Sequence, residues 1–238
     1  MSSKQLILIG TKFFTLIGVA VFCYAVIWIS PITVISRTLS LEGSVYFLQF
    51  ERHFWQYSIA FIAVVILSRG HLWSYGINSQ NLKISMVWLV WMYGFTVVMT
   101  MSGIAIGKEM LPAGAAALVP GTSESVIASM VYWMSSPVAN QILFFGFVQT
   151  VLMKQWGDSF SLLGFPLSLV VASIFFAVGA TSSHFSADPA FLIPTFILGL
   201  FCGVVYWKTK SLITPMLGHA FFFGFPVFIH LLRSGSAQ

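Results

Sequence analysis

Residues 137–153, PVANQILFFGFVQTVLM, set two adjacent carboxamides, Asn140 and Gln141, inside a run that is otherwise apolar. Such a run belongs in a helix buried in protein or membrane, where a polar group lacking a hydrogen-bond partner costs about 2–7 kcal/mol. The amide pair therefore needs partners, which must come from later helices. The residues leading into it, VIASMVYWMSS, are just as apolar, and Pro137 removes one backbone donor. A helix starting near Ser125 is therefore predicted to be interrupted and kinked at Ser135-Ser136-Pro137, one turn before Asn140.

Working outward, the 238 residues are 58% hydrophobic, 16% aromatic and only 7% charged, with a mean hydropathy of +0.93. Soluble domains carry about 25% charged residues, so a soluble globule is excluded. A membrane-spanning helix needs roughly 20 mainly apolar residues, and about seven such runs occur. They are expected near Gln5–Ser30, Val45–Ser68, Ile84–Ile106, Ser125–Met153, Leu162–Ser182, Ala190–Trp207 and Leu212–Leu232. The expectation is an all-α polytopic transmembrane bundle forming a single membrane domain over 1–238. The first run is longer than the roughly 7–15 residues of a signal-peptide core, so it is kept as a helix.

Net charge is +5, from eleven basic residues scattered over separate loops. Scattered cations exclude a nucleic-acid groove and fit topology and contact with anionic lipid instead. An amino terminus in the cytoplasm puts Lys4, Arg69, Lys83, Lys154, Lys208 and Lys210 inside, against Arg37, Arg52, Lys108 and Arg233 outside. The expected location is thus a bacterial-type cytoplasmic membrane, crossed many times, with the N-terminus inside. Lys12 is read as snorkelling to the headgroups. Glu51-Arg52-His53 is read as a membrane boundary, His53, His71 and His230 as interfacial, and Leu111–Ser123 as a solvated linker, with a lid or docking loop as the alternative. Cys23 and Cys202 fall inside spans and read as small hydrophobes rather than a disulfide.

The heptapeptide NQILFFG, 140–146, resembles the E-E-x-x-x-R signature, with a glycine after the arginine, of the membrane-embedded CPBP family of CAAX-processing and bacteriocin-processing or immunity (Abi) proteins. Asn140 and Gln141 stand in place of the two glutamates, Phe145 in place of the arginine, and Gly146 matches the glycine. The family's F-x-x-x-H motif resembles SIFFAVGATSSHF: counting from Phe176, Ala180 holds the histidine position, and His184 lies one turn later on the same face. Its H-x-x-x-N motif resembles LITPMLGHAFFFGF, where His219 matches and Phe223 replaces the asparagine. GLFCGVVYWKTKSL lies between them as the family's glycine-spaced helix and turn. The resemblance runs in order from Val138 to Phe225 and implies a CAAX-protease-like core at about 125–232, in the C-terminal half.

In that family, the resemblance implies, a glutamate activates water for attack on a peptide carbonyl while the histidines and asparagine hold the water or the oxyanion. A general base must accept a proton near the working pH, and neither a carboxamide nor a phenyl ring does. Glu124 is sixteen residues before Asn140, about 24 Å away at 1.5 Å per residue, and cannot stand in. Catalytic residues are therefore not expected. The expected role is that of an inactive relative, binding, scaffolding or serving as an accessory subunit to another integral membrane protein or complex, in contact with lipid and without a cofactor.

Two other readings stay open. One is an intramembrane protease with a rearranged two-His, one-carboxylate set of His184, Asp188 and His219, although Pro189 also marks Asp188 as a turn former. The other gives His219 to a tetrapyrrole or metal. Against both stands a structural role, in which Gln141 or Asn140 satisfies the His219 ring across the bundle. Phe144-Phe145 and Phe221-Phe222-Phe223 then fill the space of a cavity, and Gln149 and Thr150 bond neighbouring helices.

Overall fold

The computed structural model describes residues 3–28, 38, 44–107, 111–112, 114–157, 161–162, 164–184 and 189–235, with the side chains of 3–8, 181–184 and 189–190 left aside. Among the described residues the chain forms seven long helices. They are α1 (Ser3–Trp28), α2 (Val45–Ser68), α3 (Leu82–Ala105), α4 (Ser123–Trp156), α5 (Leu167–His184), α6 (Pro189–Thr209) and α7 (Ile213–Gly235). Five of them, α1, α3, α4, α6 and α7, contain stretches long and apolar enough to cross a membrane. Helix α2 falls short because it carries Glu51 and Arg52, and the apolar part of α5, Leu167–Ala180, is shorter. The all-α membrane bundle read from hydropathy is what the chain forms.

Helix α4 lies in the middle. Its spanning segment is 83% buried, against 17% for α1 and 22% for α3. A helix with apolar residues on every face has no polar face to give to water and is covered by the others, and its few polar side chains must bond within the protein. Helix α2 packs along its middle, α5 and α6 against its second half, and α7 against its first half. Helices α5 and α6 approach closely because glycines face the crossing. A Cβ at Gly199 would come 2.9 Å from Phe176 Cδ1, and one at Gly203 2.9 Å from Leu169 Cγ.

The interruption expected at Ser135-Ser136-Pro137 does not occur. Helix α4 runs through Pro137, with a π-helical turn, Val131–Ser135, directly before it. There the Ser136 N–H donates to the Val131 carbonyl five residues back. The proline's missing donor is absorbed by this wider turn, one of the recognised ways a helix accommodates it. A second π segment, Gln141–Gln149, covers most of the quoted stretch. Helix α5 likewise begins later than Leu162: a short antiparallel hairpin pairs Ser161 with Pro166 and Leu162 with Phe165, and Leu167 starts the helix.

Two further expectations are corrected by packing. Glu51 and His53 are each only 1% exposed, so this cluster is not a wetted boundary and His53 is not interfacial. The Arg52 guanidinium donates to the Ile27 carbonyl at the end of α1, and the Trp55 indole N–H points to Glu51 Oε1 at 3.5 Å. The connection before α4 is not simply solvated either, since Ala115 and Leu118 join the core. Gly114, at φ 82°, leaves room for the Tyr46 hydroxyl, which a Cβ would meet at 2.8 Å.

Candidate functional site

Three helices bring the family-like positions together around one imidazole. Gln141, on α4, sits with its Nε2 3.1 Å from His219 Nδ1 on α7. The amide N–H donates, so the ring accepts at Nδ1 and carries its proton on Nε2. The same Nε2 lies 3.6 Å from Cys202 Sγ on α6, and that thiol points to the Pro215 carbonyl at 3.8 Å. Gln141, Cys202 and His219 are all wholly buried. Asn140 turns the other way and donates to Ser136 Oγ, 3.2 Å off, one turn back on its own helix. It does not reach His219.

Aromatic rings close the imidazole in. Phe176 of α5 meets it edge to face, with centroids 5.1 Å apart at 89°, and Phe223, one turn along α7, lies 5.1 Å away at 58°. Phe145 packs on Phe176 at 5.6 Å and Phe144 on it at 5.8 Å. The two positions where the resemblance expects an arginine and an asparagine are thus held by buried rings in direct or one-step contact with His219. Ala180 is fully buried on α5. Phe222 and Phe223 also line a small cleft with Thr96, Thr100, Pro112 and Phe191, whose free volume of about 20 Å³ has room for about one water.

Gly146 has a packing reason. A Cβ there would come 3.0 Å from Leu212 Cδ1 and 3.3 Å from the Tyr75 carbonyl, because the loop after α2 docks at this point. Further along α4, Gln149 Nε2 donates to the Gly203 carbonyl at 3.1 Å, and the Thr150 hydroxyl donates to the Phe145 carbonyl while accepting from Tyr206. These are the interhelical bonds expected of Gln149 and Thr150.

The candidate set His184, Asp188 and His219 reaches outside the described residues, because Asp188 and the His184 side chain are not among them. Among the described residues, no three His, Cys, Asp or Glu side chains gather in a way that could hold a metal ion. Cys202 is the contact that sequence reading passed over. Its signal is the pair of glycines around it, Gly199 and Gly203, spaced four apart as at close helix crossings.

Comparison with curated proteins and with solved structures gives no match. Residues 122–224, which hold the amide–imidazole contact and the rings around it, match the family model described as Rce1-like, type II CAAX prenyl endopeptidase Rce1-like, and over that stretch the chain is similar to the CAAX-protease-like membrane proteins of the CPBP family.

Proposed function

We propose that this protein does not cut peptides but binds, as a scaffold or accessory subunit of another integral membrane protein. The observation that carries the proposal is the Gln141–His219 contact at 3.1 Å, enclosed by Phe176 and Phe223. Water activation in a buried site needs a proton acceptor beside room for the water and the peptide carbonyl. The two positions that resemble the family's glutamates carry amides, and the amide at 141 occupies the histidine's Nδ1. Rings take the neighbouring space, so substrate and water have little to enter.

What remains suits binding. The outward faces of α1 and α3 are apolar and largely uncharged, with Phe13, Phe14, Tyr24, Val90 and Trp91 exposed. In lipid such faces associate with other helices through packing. The test is purification of the full chain in mild detergent, with identification of companions by mass spectrometry and, in parallel, incubation with a prenylated CAAX peptide. The expected result is an integral membrane protein co-purifying at fixed stoichiometry and no cleavage. Cleavage that a chelator abolishes, or that Gln141→Leu leaves intact while His219→Ala removes it, would overturn the proposal.

A further inference from the structure

At one end of the bundle a groove of about 310 Å³ runs between α1, the end of α4 and the start of α5, lined by Ile9, Lys12, Phe13, Leu16, Trp156 and Leu167. Its place relative to the membrane follows from the helices. Lys12 lies two turns inside the run that opens at Gln5, and its flexible stem carries the ammonium back toward the headgroups. Trp156 is the last residue of α4 and Leu167 the first of α5. The groove therefore sits where hydrocarbon gives way to headgroups, with apolar walls and one cation. Trp156 puts its ring in the wall, while its Nε1 is buried away from the opening.

The charge of this end favours an anion. Arg69, Lys83, Lys154, Lys208 and Lys210 are all exposed here, and Lys4 opens α1. They are gathered by the loop after α2, which docks on the turn between α6 and α7. Asn78 Nδ2 donates to the Lys210 carbonyl at 2.7 Å, the Ser211 hydroxyl to the Asn78 carbonyl at 2.6 Å, and the Leu212 N–H to the Gly76 carbonyl at 2.9 Å. Lys154 lies over the Tyr75 ring at 4.1 Å. The acid that the sequence places in the same connections is Asp158.

We infer that the groove is a binding site for one anionic phospholipid. Its phosphodiester sits on the Lys12 ammonium, and an acyl chain lies along Ile9, Phe13 and Leu16 beside the Trp156 ring. Helix α1 is the least buried of the spanning helices, so a lipid seated here joins it to α4 and α5.

Native mass spectrometry of the detergent-purified full chain tests this with phosphatidylglycerol and phosphatidylcholine of identical acyl chains, and with glycerol 3-phosphate as a headgroup without chains. Wild type is expected to retain one phosphatidylglycerol in preference to phosphatidylcholine by about fivefold, the worth of one basic residue at an anionic surface. Lys12→Met removes that preference, and glycerol 3-phosphate does not bind. Leu16→Trp, which fills the groove without touching a charge, loses the adduct and serves as the independent variant should Lys12→Met not fold. Equal retention of the two lipids by wild type would overturn the site. So would an unchanged preference in Lys12→Met, or loss confined to Lys154→Gln/Lys208→Gln/Lys210→Gln, which would reduce the effect to the potential of the basic end.

Discussion

Gln141 is the residue on which the interior turns, because a single amide nitrogen serves both His219 and Cys202. Replacing it with leucine keeps the volume and removes the donor, so Gln141→Leu is expected to lower stability by about 1–3 kcal/mol, read as a drop in unfolding temperature in detergent. Restoring the family's residues at once, with Asn140→Glu, Gln141→Glu, Phe145→Arg and Phe223→Asn, is expected to give a protein that does not stay folded. Three of those new charges would sit in space now held by buried side chains, and buried charge without built partners is costly. A monodisperse, cooperatively melting quadruple variant would refute this account of the packing. Glycines offer a finer comparison. A Cβ at Gly224 would lie 2.1 Å from Trp133 Cε2, in a rigid ring, whereas one at Gly218 would lie 2.1 Å from Met92 Cε, the free end of a flexible chain. Gly224→Ala should therefore cost more than Gly218→Ala, with overpacking of this kind worth about 1–3 kcal/mol.

Between elements, helices are joined by few polar contacts and many apolar ones. Gln149 to Gly203 and Tyr206 to Thr150 tie α4 to α6. Interhelical bonds in membranes average about 0.6 kcal/mol, so Gln149→Leu and Thr150→Val should each shift stability by about that much, far less than Gln141→Leu. The docked loop is a different case. Asn78 donates to both the Trp73 and Lys210 carbonyls, and its own carbonyl accepts from Ser211. Gly76 lets the backbone close on the bundle, since it has φ 85° and a Cβ there would come 2.4 Å from Tyr206 Cε2. Asn78→Ala removes the side-chain clamps and is expected to speed limited proteolysis within residues 70–81 while leaving the unfolding temperature nearly unchanged. No change in cleavage rate would mean that the backbone bond from Leu212 to Gly76 holds the loop alone.

For the molecule as a whole, the cations at one end set a preferred orientation in a membrane. With the N-terminus in the cytoplasm, Lys210 faces inward, and Arg233, near the far end of α7, faces outward. Lys210→Cys should be labelled by a membrane-impermeant maleimide only after the cells are opened, and Arg233→Cys in intact cells. The native Cys23 and Cys202 are buried and give little background. The reversed pattern would reverse the orientation.

Hydropathy alone determined that this chain is a helical membrane bundle, because each span must hide its own backbone polar groups and is apolar along its whole length. The order of the short motifs around Asn140, Phe176 and His219 identified the family-like core, since those residues are legible one helix at a time. Tertiary structure decided the rest. That Gln141 rather than Asn140 meets His219 depends on which face of α4 the last helix packs against, and local sequence does not encode that docking. Cys202 joins the same amide across 61 residues. Glu51 and His53 are charged or titratable in sequence and so look wet, yet α2 is packed along α4, and its Arg52 is bonded to the end of α1. Whether a polar side chain meets water or protein is settled by what other helices cover it, and no single helix carries that information.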